Sequence, residues 1–453
     1  MKRVFALFVT ALLFTTGLFA CTGARNPGTI ALSSGEGDSL PKPVEAVPIA
    51  PVADDTPVKE ISPVRLVFTH ALTGDAADLL YALTLRFNEE NVYGITVVLP
   101  EDPDDSADGT DEETVFAAEE ENDDGFDSRA DIQLLLPSVM LDHLEDITML
   151  DTYAQEDTSF SYDDIIAPFR EYNESFRCMA GLPFTMSTDV YYYNKNLFED
   201  YEITPPSTWQ ELTAAGSVVL DQRDIPVVAV RGAGTYFEIM CIQNGTRFVD
   251  SDGIHFDDGA GAGKEAVRFL TNMHRLGYLR LTYEESERAS DFRSQRTAGF
   301  IGSSLAAPEV FTAGFDVGVI PLPAGRVQGA SAVSGSFLVI TAGDGNARMA
   351  AWEYLKYLTG THVNALWAVG TGYLPVRYSA FETPEYRSLM ETDPVANACH
   401  AQIDDMFVPY DIENDPYAAS LALCLSQQLL NGAEAAEAYD ALIDEAYNSA
   451  PQR

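Results

Sequence analysis

The groups in this chain that could break bonds are abundant and badly arranged for doing so. There are 70 Asp and Glu residues against 27 Lys and Arg. Glycoside hydrolysis needs two carboxylates facing each other across a bound sugar. Adjacent pairs such as Asp163/Asp164 and Asp404/Asp405 are expected by chance at this density, and read most simply as solvated surface. Nucleophilic chemistry needs a nucleophile, a base and a group that orients the base. The six histidines, at 70, 143, 255, 274, 362 and 400, fall in unrelated contexts. No Gly-x-Ser-x-Gly elbow and no His-Glu-x-x-His metal site occurs. The stretch DSDGIHFDD at 250–258 invites a calcium reading but lacks the full loop order with its terminal Glu. It reads as a surface turn. No catalysis, metal or cofactor is expected, which leaves binding.

The first residues say where binding would take place. Lys2 and Arg3 precede an uncharged, mainly apolar run from Val4 to Gly17, and Leu18-Phe19-Ala20-Cys21 follows. A basic start, a short apolar stretch and small residues at a cleavage point read as an export signal over 1–20. The run is too short for a secure membrane-spanning helix, which takes about 20 apolar residues. Leu-Phe-Ala-Cys resembles a bacterial lipobox, implying that Cys21 is lipidated and holds the protein to a bacterial membrane, at its periplasmic face or at the cell surface. An ordinary secretory signal with an incidental cysteine is the alternative. Residues 21–61 then form a tether: Pro27, Pro41, Pro43, Pro48, Pro51 and Pro57 among Gly, Ser and acidic residues cannot bury enough surface to order the chain.

The formal charge of −43 makes nucleic acid a poor partner, because a phosphate backbone needs clustered basic residues. It also disfavours direct adhesion to anionic lipid, and it suits a soluble monomer. Cys178, Cys241, Cys399 and Cys424 remain once Cys21 is taken by lipid. Export permits disulfides, and both buried thiols and one or two bridges are open. Nearly 390 residues from Pro63 onward exceed what one hydrophobic core usually supports, so two domains are expected.

Any binding groups must be positioned by an α/β body. Val64–Phe68 reads as a strand, and Ala76, Leu79, Leu80, Leu83 and Phe87 have helical spacing. Ile95–Leu99 is a second strand, and that order implies a parallel sheet covered by helices. Residues 101–129 are very acidic and read as a mobile surface insertion. Asp131–Leu136 returns to strand character. Val190 to Tyr193 form a strand, Asn194 starts a turn, and Thr208 is the expected N-cap of a helix. The polar stretch Thr185–Asp189 between apolar flanks looks like a crossing between domains. Strands are expected at 226–230, 299–302, 317–320 and 337–340, and helices at 263–276, 348–358 and 434–447.

These residues carry a family resemblance. GLPFTMSTDVYYYNKNLFEDYEITPPSTWQEL (181–212) resembles the signature of extracellular solute-binding proteins that serve ABC importers of sugars. LVFTHALTG (66–74) resembles their opening strand and ligand loop, RTAGFIGSS (296–304) a strand of the second lobe, and NALWAVGTGYLPVR (364–377) a late loop that touches ligand. Within the family, SAVSGSFLVI (331–340) and TGYLPVR (371–377) are most similar to the glycerol-3-phosphate-binding subgroup. The resemblance covers roughly 62–450. It implies an α/β fold of the two-lobed, maltose-binding-like periplasmic-binding-protein class, with a ligand cleft between lobes and multiple hinge crossovers. Lobe 1 would hold 62–183 plus 325–358, and lobe 2 would hold 188–321 plus 365–450. The implied partners are a sugar, oligosaccharide or glycerol-phosphate-type ligand and the permease subunits of an ABC importer. A tethered adhesin that kept the fold is the alternative, and a glycan-active enzyme a remote one.

A polyhydroxylated ligand needs planar faces for its C–H surfaces and small donors for its hydroxyls. Tyr373, with Gly370 and Gly372 letting backbone approach closely, is the foremost stacking candidate. Thr69 and His70 sit where the first strand ends, the usual crevice position in open α/β sheets. Ser187, Thr188 and Asp189 lie at the expected crossover. Ser334, Gly335 and Ser336 precede an apolar strand, and Ser303 and Ser304 follow another. Arg377 and Arg231 are the cations a phosphate would require, and Tyr236 with Phe237 could form an aromatic wall or pack in the core.

Overall fold

The computed structural model describes residues 61–100, 125–175, 178–250, 253–257, 259–283, 285–410 and 415–449. The export signal, Cys21, residues 21–60 of the tether and residues 101–124 of the acidic segment lie outside the described residues.

Runs of β-branched and aromatic residues form the strands. In chain order these are β1 (Val64–Thr69), β2 (Ile95–Val98), β3 (Ile132–Leu135), β4 (Leu182–Pro183), β5 (Ser187–Asn194), β6 (Val228–Arg231), β7 (Val249–Asp250) and β8 (Gly253–Ile254). Then follow β9 (Leu279–Thr282), β10 (Gly299–Ser303), β11 (Val317–Ile320), β12 (Ser331–Ser334), β13 (Phe337–Ile340) and β14 (Met406–Phe407). The helix Gly74–Glu90 joins β1 to β2 and buries Leu80, Leu83 and Phe87, the face that the spacing predicts. Helix Trp209–Arg223 starts at Thr208, whose hydroxyl accepts from Glu211 N at 3.2 Å. Glu211 reaches back to Ser207 N at 2.7 Å, so two orphan donors are satisfied reciprocally.

The strands form two main sheets. The first has the order β2-β1-β3-β13-β4, with β13 antiparallel to its neighbours. The second has the order β14-β12-β5-β10-β6-β9, with β11 also on β5. Here β5 runs against β10, β11 and β12, while β6, β9 and β10 are mutually parallel. The second sheet is covered on both faces. Tyr192 stacks on Phe300 at 4.9 Å in one core, while Tyr191 and Tyr193 lie in the other. Burial on both sides is why β5 is continuously apolar from Val190 to Tyr193 rather than alternating. The fold is α/β and two-lobed, and β7 pairs antiparallel with β8 through Val249–Ile254 and Asp250–Gly253.

The lobe boundaries differ from those expected. Residues 325–358 do not act as one unit: β12 pairs with β5 of the second sheet, and only from β13 onward does the chain return to the first. Residues 365–450 also divide. Helix Thr361–Thr371 packs on helix Gly74–Glu90 of the first lobe, and helix Pro384–Thr392 packs on Thr361–Thr371. The following helix, Pro394–Ala401, lies on β5 and β11 of the second lobe, so the change falls at Asp393. Trp367 explains the first of these placements: its ring stacks on Phe184 at 4.5 Å, beside the first sheet. Residues 364–371 are therefore helix rather than loop. Cys178, Cys241, Cys399 and Cys424 stand as thiols, with no bridge among them.

Candidate functional site

Strand direction assembles the site. In the first lobe β1, β2, β3 and β4 run the same way and end at Thr69, Val98, Leu135 and Pro183. In the second, β6, β9, β10 and β12 end at Arg231, Thr282, Ser303 and Ser334, on the edge where β5 begins at Ser187. The chain passes between these carboxyl edges through Phe184–Met186 and returns through Gly335–Ser336. Carboxyl edges are where open α/β sheets place their ligands.

The two crossing segments are tied to one another. Phe184 N donates to Ser336 O at 3.1 Å, and Ser336 N donates to Thr185 Oγ1 at 3.1 Å. Gly335 has φ +156°, and a Cβ there would run into the carbonyl of Thr185, so the close approach requires glycine. Ser187 Oγ lies 3.3 Å from Ser334 Oγ. Thr188 is buried, its hydroxyl 2.7 Å from Ser331 Oγ and 2.9 Å from Ala332 O. Asp189 pairs with Ser303 across the sheet, and its carbonyl accepts from Ser331 Oγ and from Gln402 Nε2 at 2.7 Å. Ser304 is buried, with its Oγ 3.5 Å from Thr188 N. Of these hydroxyls, Ser334 is exposed, Ser303 and Ser336 are half-buried, and Thr188 and Ser304 are enclosed.

Tyr373 stands on an aromatic tier. Its ring is parallel to Trp367 at 5.8 Å, and Trp367 in turn covers Phe184. The helix carrying Trp367 ends at Gly372 in left-handed conformation. Leu374 N donates to Met186 O at 2.7 Å and Val376 N to Asn364 Oδ1 at 2.7 Å, which pins Tyr373 beside the crossing. Thr69 and His70 end β1, both half-buried. His70 Nδ1 accepts from Leu72 N at 3.2 Å, which puts the ring proton on Nε2. Burial lowers the His70 pKa, so the imidazole is a neutral donor at physiological pH.

Other expected residues lie elsewhere. Arg377 is buried in the first lobe: its guanidinium donates to Thr359 O, to Ser161 O at 2.9 Å and to Asp164, and it covers the Phe160 ring. With those donors spent inside the lobe it is not arranged to hold a phosphate. Tyr236 and Phe237 belong to the second lobe's core and form no wall. Arg231 does reach the edge, half-buried at the end of β6. Neither acidic pair is set across the crossing. Asp164 caps Ser379 at 2.9 Å, Asp163 meets Arg170 at 3.1 Å, and Asp404/Asp405 lie on the flank of the second lobe. Two edge residues escaped sequence reasoning: Leu136, 46 % exposed just past β3, and Tyr283, 57 % exposed just past β9. Nothing in the local pattern separates them from ordinary strand residues. The arrangement can donate and accept hydrogen bonds and offer a flat ring. Among the described residues, it brings together no nucleophile–base pair.

The chain matches the family model described as bacterial extracellular solute-binding protein over residues 82–394. It is 25 % identical over 242 residues to the sn-glycerol-3-phosphate-binding periplasmic protein UgpB of Yersinia pestis, covering 50 % of this chain and 55 % of the relative. The corresponding protein of Shigella flexneri is 25 % identical over 244 residues, with 50 % and 55 % covered. The chain thus spans about half the length of the curated relatives it matches. Among solved structures, it resembles the cyclic α-maltosyl-1,6-maltose binding protein of Arthrobacter globiformis (TM-score 0.68, 19 % identity, 85 % of this chain and 98 % of the other). It also resembles UgpB of Mycobacterium tuberculosis in complex with glycerophosphocholine (0.64, 18 %, 85 % and 98 %). A third is the sugar-binding protein MalE of Xanthomonas citri (0.66, 21 %, 84 % and 96 %). At these identities the structural likeness establishes the fold.

Proposed function

The chain belongs to the bacterial extracellular solute-binding proteins, and from that premise we propose that it is the substrate-binding component of an ABC importer. It captures a carbohydrate or polyol-phosphate ligand between the lobes and delivers it to a membrane permease without chemistry. The observation that carries this reading is the meeting of two carboxyl edges at a hydrogen-bonded double crossing, with small hydroxyls on one side and a supported aromatic ring on the other. Tyr373, His70, Thr69, Ser187, Asp189, Ser303, Ser334, Gly335, Ser336 and Gly372 are the proposed contacts, with Thr188 and Ser304 fixing the strands behind them. Ligand drives closure because it binds the closed arrangement more tightly.

The relatives' names point to glycerol 3-phosphate, glycerophosphocholine and maltose-type sugars. With Arg377 withdrawn, Arg231 is the cation proposed to meet a phosphate. Export and a lipid anchor on Cys21 complete the proposal, supported by the Leu18-Phe19-Ala20-Cys21 sequence. Native mass spectrometry of retained ligand, followed by calorimetry with glycerol 3-phosphate, glycerophosphocholine and maltotriose, tests the function. One of these is expected to bind, and Tyr373→Ala to weaken it about tenfold, the loss of a stacked ring. If none binds, or any is turned over, the reading fails. Loss of membrane association in Cys21→Ala tests the anchor.

A further inference from the structure

A concavity of about 290 Å³ lies on the flank of the second lobe, away from the double crossing. Its walls are stiff. Pro205 and Pro206 precede helix Trp209–Arg223, and Pro321 with Leu322 ends β11. The 323–330 loop that closes it is fastened from behind by Gln243, whose Nε2 donates to Pro323 O at 3.1 Å and Ala330 O at 3.3 Å. Ala324 N donates to Ser207 O at 2.9 Å. The floor is Gln402, whose amide is already satisfied by Leu322 N, Asp189 O and Ser331 Oγ.

One charged group lines the concavity: Asp405. Its carboxylate lies over the bare backbone of Gly329, where any side chain would collide with it. No cation pairs with it among the described residues. The loop's single basic residue, Arg326, is engaged by Glu265 at 3.4 Å. Asp405 is exposed at the rim; the desolvation its carboxyl does undergo, then the adjacent Asp404 charge, raises its pKa.

Small-molecule pockets generally run from about 300 to 1,000 Å³ and are mostly apolar with a few placed polar groups. This one lies at the bottom of that range, is mainly apolar-walled, and carries its one charged group at one end. That combination suits a methylene stem with a cationic head, which buries its chain and keeps its charge at the rim. We propose that the concavity is a docking socket for one arginine or lysine side chain presented by a loop of a partner protein. The Gln402 amide ties the socket floor to Asp189 and Ser331 on the strands that begin and end at the double crossing, so an occupant touches the framework of the ligand site.

The test titrates ¹⁵N-labelled full chain with Nα-acetyl-arginine amide, using Nα-acetyl-norleucine amide and putrescine as comparators. Saturable shifts confined to Ala324, Gly329, Ala330 and Asp405 are expected. Asp405→Asn, or the norleucine probe, should weaken binding about three- to fivefold, as for an exposed ion pair. Ala324→Leu, which fills the concavity and keeps the carboxylate, should abolish it. Shifts scattered over the acidic surface, or equal affinity in Asp405→Asn, would overturn the socket. Tighter binding of putrescine than of the arginine probe would replace the partner loop by a small diamine and overturn the proposal as stated.

Discussion

The two carboxyl edges carry different chemistry. On the first lobe's side lie an imidazole, His70, an exposed Leu136 and the tier Phe184–Trp367–Tyr373. On the second lobe's side lie Ser187, Ser303 and Ser334 with Arg231 at the end of the neighbouring strand. The first edge is richer in flat surfaces, with Thr69 as its small hydroxyl, and the second is richer in short hydroxyls, with Tyr283 as its exposed ring. That uneven division favours a ligand held by both lobes. The edges also differ in support. The hydroxyls are held by backbone pairing within the sheet, whereas the Tyr373 ring stacks on Trp367 and its backbone is held by bonds to Thr371 and, through Leu374, to Met186.

Removing that support is the most severe way to break the comparison. Trp367→Ala empties a fully buried site and is expected to cost about 3–5 kcal/mol by denaturant unfolding. It should also weaken ligand binding, whereas Trp367→Phe retains most of both. Wild-type stability in Trp367→Ala would show that the tier is incidental.

Acid tests the first lobe more gently. In the first lobe Asp157 accepts from Lys356 at 2.6 Å and Trp352 at 3.0 Å. Burial alone would raise the Asp157 pKa, but those bonds, one from Ser159 and the Lys356 charge overcome it and hold the group well below the usual carboxylate range. A depressed folded pKa gives stability that is present above the unfolded value, about 3.9, and is lost as pH falls toward the folded one. Lys356→Ala is expected to cost about 1.5–3 kcal/mol at neutral pH. Its difference from wild type should shrink steadily below about pH 4 in pH-resolved melts. A constant difference would mean that packing of the lysine stem, not the charged bond, is what was removed.

The smallest expected effect is at the join between the edges. Gly335→Ala puts a side chain against the Thr185 carbonyl and is expected to cost about 1–3 kcal/mol of local strain. Calorimetry should show it altering ligand affinity more than Trp209→Phe, which lies in the second lobe's core. Equal effects would remove the crossing from the binding mechanism.

Much of this was written locally. The strand at 337–340 and the helix begun by Thr208 follow from an apolar run and a capping residue, and the polar interruption at 185–189 marked the crossing, although only 184–186 cross and Ser187–Asp189 open β5. The glycine and serines at 334–336 were legible as a turn before an apolar strand, and there the chain returns from β12 to β13. The helix Thr361–Thr371 was not legible as helix, because Gly370 and Gly372 look like loop residues until Trp367 is seen stacked on Phe184. Nor could the division at Asp393 be read, since the helices on either side have similar composition yet pack on different lobes.

The α/β class and the polar interruption before β5 were determined by the sequence itself, because turn chemistry and periodicity involve residues that are neighbours in the chain, while the family and its two lobes were legible only through the resemblance of motifs such as 181–212 and 364–377. Only the tertiary structure decided that Tyr373 stays at the edge while Arg377, four positions later, turns inward. Its guanidinium is claimed by the carbonyl of Ser161 and the carboxylate of Asp164, more than 200 residues away in sequence. A side chain's direction is settled by whichever distant acceptors the fold delivers to it, and no local pattern records those.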